Sequence, residues 1–130
     1  MPENDKKTIV IRSQLSFGTF LEVRKSRIGD DIHLLLTGGT APHIGCVVMS
    51  TPRPSLTGDG TVSATSSVIN AVGHKDEEIC RLLSEAVCRS HNCLTVCVGG
   101  FHADHLSAGQ IREVQRVVKE ELIPQLSDGI

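Results

Sequence analysis

The chain has no Trp, no Tyr and only three Phe (Phe17, Phe20, Phe101) in 130 residues. That scarcity excludes functions built on stacked rings: single-strand nucleic-acid platforms, proline-peptide grooves and quaternary-ammonium cages. Basic tracts are missing too. The longest is Lys6-Lys7, and net charge is −2, split as +1 over residues 1–65 and −3 over the remainder. No electrostatic footprint for nucleic acid is present. No apolar run is long enough to span a bilayer, and Met1 to Lys7 lacks the apolar stretch of a signal peptide, which predicts a cytoplasmic protein without membrane attachment. Five cysteines (Cys46, Cys80, Cys88, Cys93, Cys97) form no C-x-x-C pair. An odd count beside apolar neighbours reads as reduced, core-filling thiols. Walker, G-x-G-x-x-G, G-x-S-x-G and H-E-x-x-H motifs are all absent.

What remains is enough Val, Ile, Leu and Ala to build one core, in a chain long enough to bury about two-thirds of its unfolded surface. Residues 1–7 read as a disordered tail, 8–126 as a single domain and 127–130 as a C-terminal tail. The first half reads as strands: Thr8 to Ile11, an alternating segment Phe17 to Arg24, Ile32 to Leu36, Ile44 to Met49 and Thr61 to Ile69. Two prolines and two glycines make Pro52 to Gly60 an irregular connection. In the second half Ile79, Leu82, Leu83, Ala86 and Val87 form one helical stripe over 75–90. Leu94 to Val98 is a buried strand. A last helix opens at Ser107, where Gln110 completes a capping box, and Pro124 ends it. The expected fold is α+β: a mainly antiparallel sheet of about six strands with two helices in the C-terminal half, in the order β-β-β-β-β-α-β-α.

Two strand-to-helix junctions hold the unusual residues, Gly73-His74-Lys75-Asp76 and Gly99-Gly100-Phe101-His102-Ala103-Asp104-His105-Leu106-Ser107. A strand–helix–strand unit makes the fifth and sixth strands parallel, so both junctions fall on one sheet edge. If the fourth and fifth strands form a hairpin, Thr40-Ala41-Pro42-His43-Ile44-Gly45 joins them there. Helix N-termini, Lys75 and close-approach glycines suit a phosphate or carboxylate, and imidazoles suit a planar polar ring. Lone His33 and His91 read as surface or capping residues. A rival reading is a small metal-dependent enzyme using His43, His74, His102 and Asp104. A third is an assembly module that holds no ligand.

Taken together, Pro42-His43-Ile44-Gly45, Gly73-His74-Lys75-Asp76-Glu77 and Gly100-Phe101-His102-Ala103-Asp104-His105 resemble the D subunit of bacterial gallate decarboxylases, the prenylated-flavin chaperone-like family. The resemblance spans roughly residues 8–124. The last motif follows the family pattern Gly-Ile-His-x-Asp-x-x-Ser/Thr through Ser107, with Phe101 and His105 departing from it. The resemblance implies a proteasome-assembly-chaperone-like fold, usually homo-oligomeric. It implies an accessory protein, without catalysis of its own, for a prenylated-flavin-dependent decarboxylase. The ligand is then prenylated FMN, FMN or a nucleotide-like phosphorylated planar molecule. The ligand-binding set is Thr40, His43, Gly45, Gly73, His74, Lys75, Phe101, His102, Asp104, His105 and Ser107. Lys75 and the helix N-termini are expected to take the phosphate, and His43, His74 and His102 the ring or sugar. Asp104 is expected to orient a histidine or accept from a ribityl hydroxyl.

Overall fold

Alternation of apolar and polar residues drives the first three strands, β1 (Thr8–Gln14), β2 (Phe20–Ile28) and β3 (Asp31–Gly38), into an antiparallel meander. The structure, a computed structural model, describes residues 8–71 and 76–128. β2 starts later than the alternation suggested because Gly18, at φ +85°, turns the chain before Phe20. β4 (Cys46–Pro54) and β5 (Val62–Asn70) form a hairpin. Helix α1 (Glu77–His91) follows, then β6 (Thr95–Gly99) and helix α2 (Ala108–Val117).

The six strands form one sheet in the order β1-β2-β3-β6-β4-β5. It is mixed, which corrects the mainly antiparallel expectation: β6 pairs parallel with β3 and antiparallel with β4. The cause is the crossover through α1, which returns the chain to the gap between β3 and β4. β5 and β6 still run the same way, related through β4 rather than as neighbours.

Two further expectations are corrected. Pro52 and Pro54 belong to β4, opposite Ala64 and Val62. They are tolerated because the β4–β6 ladder stops at Ser50, leaving the outer side of β4 free of any need for their missing N–H groups. Pro124 does not end the last helix. After Val117 a π-helical turn over Val118–Leu122 leads into a short helix α3 (Ile123–Leu126) with the proline in its first turn. The wider turn spares the bond and the ring clash that Pro124 would impose on an α-helix.

The core lies between one sheet face and the helices: Leu21, Val23, Leu34, Leu36, Val48 and Cys97 meet Leu83, Val87, Val117 and Leu122. All five cysteines are free and buried in it or beside it. Burial pushes the Cys88 thiol up to about 11 and raises that of Cys46 further, and at Cys80 a hydrogen bond with Cys97 together with burial also drives the thiol upward. Lys25 is the exception to the apolar pattern. It is fully buried, and its ammonium donates to the carbonyls of Leu126 (2.7 Å) and Asp128 (3.2 Å) and lies 2.9 Å from His91 Nε2. Desolvation and the nearby Arg27 pull its pKa down to about 8.

Candidate ligand-binding site

The strand ends meet at a rim. Gly45 extends the β4 ladder by one pair on each side, its N–H donating to Gly99 O (2.9 Å) and its carbonyl accepting from Ala71 N (2.8 Å). On the far side of β6, Thr40 N donates to His102 O (2.8 Å), and His102 bridges to Gly39. The segments carrying His43 and His102 are thereby tied to the same sheet edge. Their imidazoles stand edge to face, centroids 5.7 Å apart and planes at 88°.

Beneath them lies Asp76, only 5% exposed, at the N-cap of α1. Its carboxylate makes no capping bond to the helix. It turns instead into the glycine-rich junction, where Oδ1 accepts from Phe101 N (2.8 Å) and Oδ2 lies 3.1 Å from His43 Nε2. Gly45 and Gly100 make this possible, since a Cβ on either would lie 1.9 Å or 2.5 Å from Oδ2. An anion at a helix N-terminus is also favoured by the helix dipole. Asp76 is not among the ligand-binding residues expected from the sequence, where an acid at a helix start is unexceptional. Its only cue was its position between two glycine-bearing motifs that the topology joins.

The other expected residues scatter around this centre. His102 is half exposed, and its Nε2 lies 3.1 Å from the exposed Asp104 Oδ1. His105 is exposed and adopts φ +58° where the loop turns towards α2. The Ser107 hydroxyl accepts from Gln110 N (3.1 Å) and the Gln110 side chain accepts from Ser107 N (2.8 Å), so Ser107 serves the helix cap. Thr40 contributes through its backbone and is exposed. Gly73, His74 and Lys75 lie outside the described residues. Phe101 is buried, packed edge to face on Phe17 at 6.4 Å.

Phe101 also opens onto a groove of about 490 Å³ between the start of α1, the 101–106 loop and α2. Ile79, Leu106, Ile111 and Val114 form its apolar walls, with Asp76, Glu78, His102 and Gln115 at its polar edge. Glu78 accepts from Gln115, linking the two helices. Nothing in the sequence sets these apolar walls apart: Ile79 belongs to the α1 stripe, and Leu106 and Ile111 flank the Ser107 cap at the spacing of a hydrophobic staple. Ile111, 46% exposed, is the visible sign that part of the stripe faces an opening. Among the described residues no group of three or more His, Cys, Asp or Glu is disposed to hold a metal ion. No helix among them is long and apolar enough to cross a membrane.

The chain is thus an α+β domain with its helices on one sheet face and histidines and a buried carboxylate gathered at the strand ends. The fold is similar to a chain in the crystal structure of a novel chaperone complex for yeast 20S proteasome assembly. The likeness has 11% sequence identity and a TM-score of 0.50, and covers 94% of this chain and 99% of that one. No curated protein matches the sequence. Residues 16–128 match the family model of the prenylated flavin chaperone LpdD-like domain, and the chain belongs to that family.

Proposed function

We propose that this protein is an accessory chaperone for a prenylated-FMN-dependent decarboxylase and holds the flavin at the rim formed by His43, His102 and Asp76. The supporting observation is the edge-to-face imidazole pair set on a buried carboxylate beside an apolar groove. Such a place suits a planar heterocycle with hydrogen-bonding edges and an apolar substituent. The flavin supplies its own redox and adduct chemistry when bound. The chain's residues bind and orient. Asp76 fixes the His43 ring through Nε2 and braces the loop through Phe101 N–H. The groove fits the uncharged part of the ligand, because its described charged lining is acidic, Asp76 and Glu78. The phosphate therefore belongs outside it. Family membership supports the partner class, a flavin-dependent decarboxylase. We take the setting to be cytoplasmic.

The test uses the full chain. Without Trp or Tyr it absorbs weakly near 280 nm, so FMN or prenylated FMN retained through purification shows directly in the spectrum. Titration should give saturable binding that His102→Ala weakens at least tenfold, and co-expression should raise the holo fraction of the decarboxylase. No binding of either flavin together with an unchanged holo fraction would overturn the reading.

A further inference from the structure

We propose that residues 103–117 form a hinged flap over the groove, fixed at His102 and Val118 and held shut by two side-chain latches, Glu113 on Ser16 and Gln115 on Glu78. The two ends are firmly placed. His102 O accepts from Thr40 N (2.8 Å), which ties it to the sheet edge. Val118, Leu122 and Leu126 are fully buried, and the Lys25 ammonium holds the carbonyls of Leu126 and Asp128. Between these points the chain is lightly attached. No residue from His102 to Glu113 is buried, and α2 buries only Val114 and Val117, whereas α1 buries six residues along its length. Among the described residues no backbone hydrogen bond joins 103–117 to the sheet or to α1. Elements that move around binding sites are drawn from the least attached part of a fold.

The latches lie on opposite sides of α2, since positions 113 and 115 are roughly 200° apart around a helix. Ser16 donates to the Glu113 carboxylate through its N–H and its hydroxyl, both at 2.6 Å, and the Gln115 amide donates to Glu78 at the edge of the groove. Both latches are exposed, so water replaces them at little net cost. Apolar contact does not make up the difference. Leu106, Ile111 and Val114 face Ile79 and Phe101 across about 490 Å³, so the flap forgoes part of the dispersion attraction that seats α1. Each end also carries a hinge. His105 takes φ +58°, a strained conformation for a residue with a side chain, and the π-helical turn Val118–Leu122 is the kind of place where helices bend. Swinging the flap outward uncovers Phe101 and Asp76 and admits a ligand wider than the closed mouth.

The flap is a property of the chain alone and stands whether or not the groove takes a flavin. Its test places a reporter thiol beneath it in the full chain. Val114→Cys sets that thiol where only 3% of the native side chain is exposed, and the five natural cysteines, all buried, report global unfolding in the same molecule. A neutral pyridyl disulfide should label the introduced thiol about a hundredfold faster than any natural one. Adding Glu78→Ala and Glu113→Ala should quicken that labelling about tenfold further and leave the natural thiols unmoved. Alanine is the better helix former, so the gain reports the latches and not the helix. Leu106→Cys, from the loop half of the flap, is a second reporter and should respond alike. An introduced thiol that reacts only in step with the natural ones overturns the proposal. So does a labelling rate unmoved by removing both latches, or one that rises by the same factor as the rates of the natural thiols.

Discussion

Gly45→Ala tests the architecture of the rim through one methyl group. The added Cβ would lie 1.9 Å from Asp76 Oδ2, about 1.5 Å short of ordinary contact. Backbone movement is blocked because Gly45 is bonded on both sides, to Gly99 and to Ala71. The carboxylate must therefore move, which stretches its contacts with Phe101 N (2.8 Å) and His43 (3.1 Å) beyond hydrogen-bond range. A buried N–H left unpaired, together with a lost charge-assisted bond, costs about 3 kcal/mol. For a domain of this size that lowers Tm by roughly 10 °C. The assay is a double-mutant cycle in thermal or urea unfolding, with Asp76→Ala as the second substitution. If the clash is with Asp76, Gly45→Ala should cost less than ~1 kcal/mol once the carboxylate is gone, a strong departure from additivity. Additive losses, or a wild-type Tm for Gly45→Ala, would refute the account of Asp76 as the brace of this loop.

Ile111→Glu should leave Tm within about 2 °C because Ile111 is 46% exposed, yet weaken flavin binding about tenfold by placing a third acid at the groove. An unchanged flavin affinity removes the groove from the site. Lys25→Met should change the pH dependence of stability. With the native pKa near 8 against 10.5 unfolded, the unfolded chain holds the extra proton between those values, so Lys25 makes wild-type stability rise with pH across that window. The stability of the Met variant relative to wild type should fall by about 3 kcal/mol from pH 7.5 to 10.5 in urea titrations; a constant difference refutes the buried cation. The thiols should resist a disulfide reagent at pH 8 in the native state and react, all five, on denaturation. Rapid labelling of any of them in the native state would contradict their burial.

Local physics was legible in the sequence where one short segment determines the outcome. The Ser107–Gln110 capping box formed as expected, because both partners lie within a single turn. The convergence of the 40–45 and 99–107 segments followed from strand direction and hairpin pairing. Other features depend on what arrives from elsewhere in the chain. The β3–β6 pairing joins residues about sixty positions apart, and no local pattern announces an inserted strand. Pro52 and Pro54 read as breakers until the end of the β4–β6 ladder at Ser50 is known. Lys25 reads as a surface charge, since its acceptors on Leu126 and Asp128 lie a hundred residues away.

Asp76 shows the same limit inside the site itself. An acid at a helix start is what the dipole favours in any protein, so its residue type carries no information. Information lies in the pair Gly45 and Gly100, which turn is open to a carboxylate only because each lacks a Cβ. Packing both helices on one face then separates two sets of residues that the sequence interleaves. Residues 43, 76 and 101–102 meet at the strand ends, whereas Leu35, Val47 and Val98, drawn from the same strands, point to the opposite face. A charge at Val47 should therefore leave flavin affinity unmoved, whereas one at Ile111 should lower it. If Val47→Lys in a folded chain weakens flavin binding as Ile111→Glu does, the rim and the sheet face act as one surface, and the separation drawn from the register is wrong.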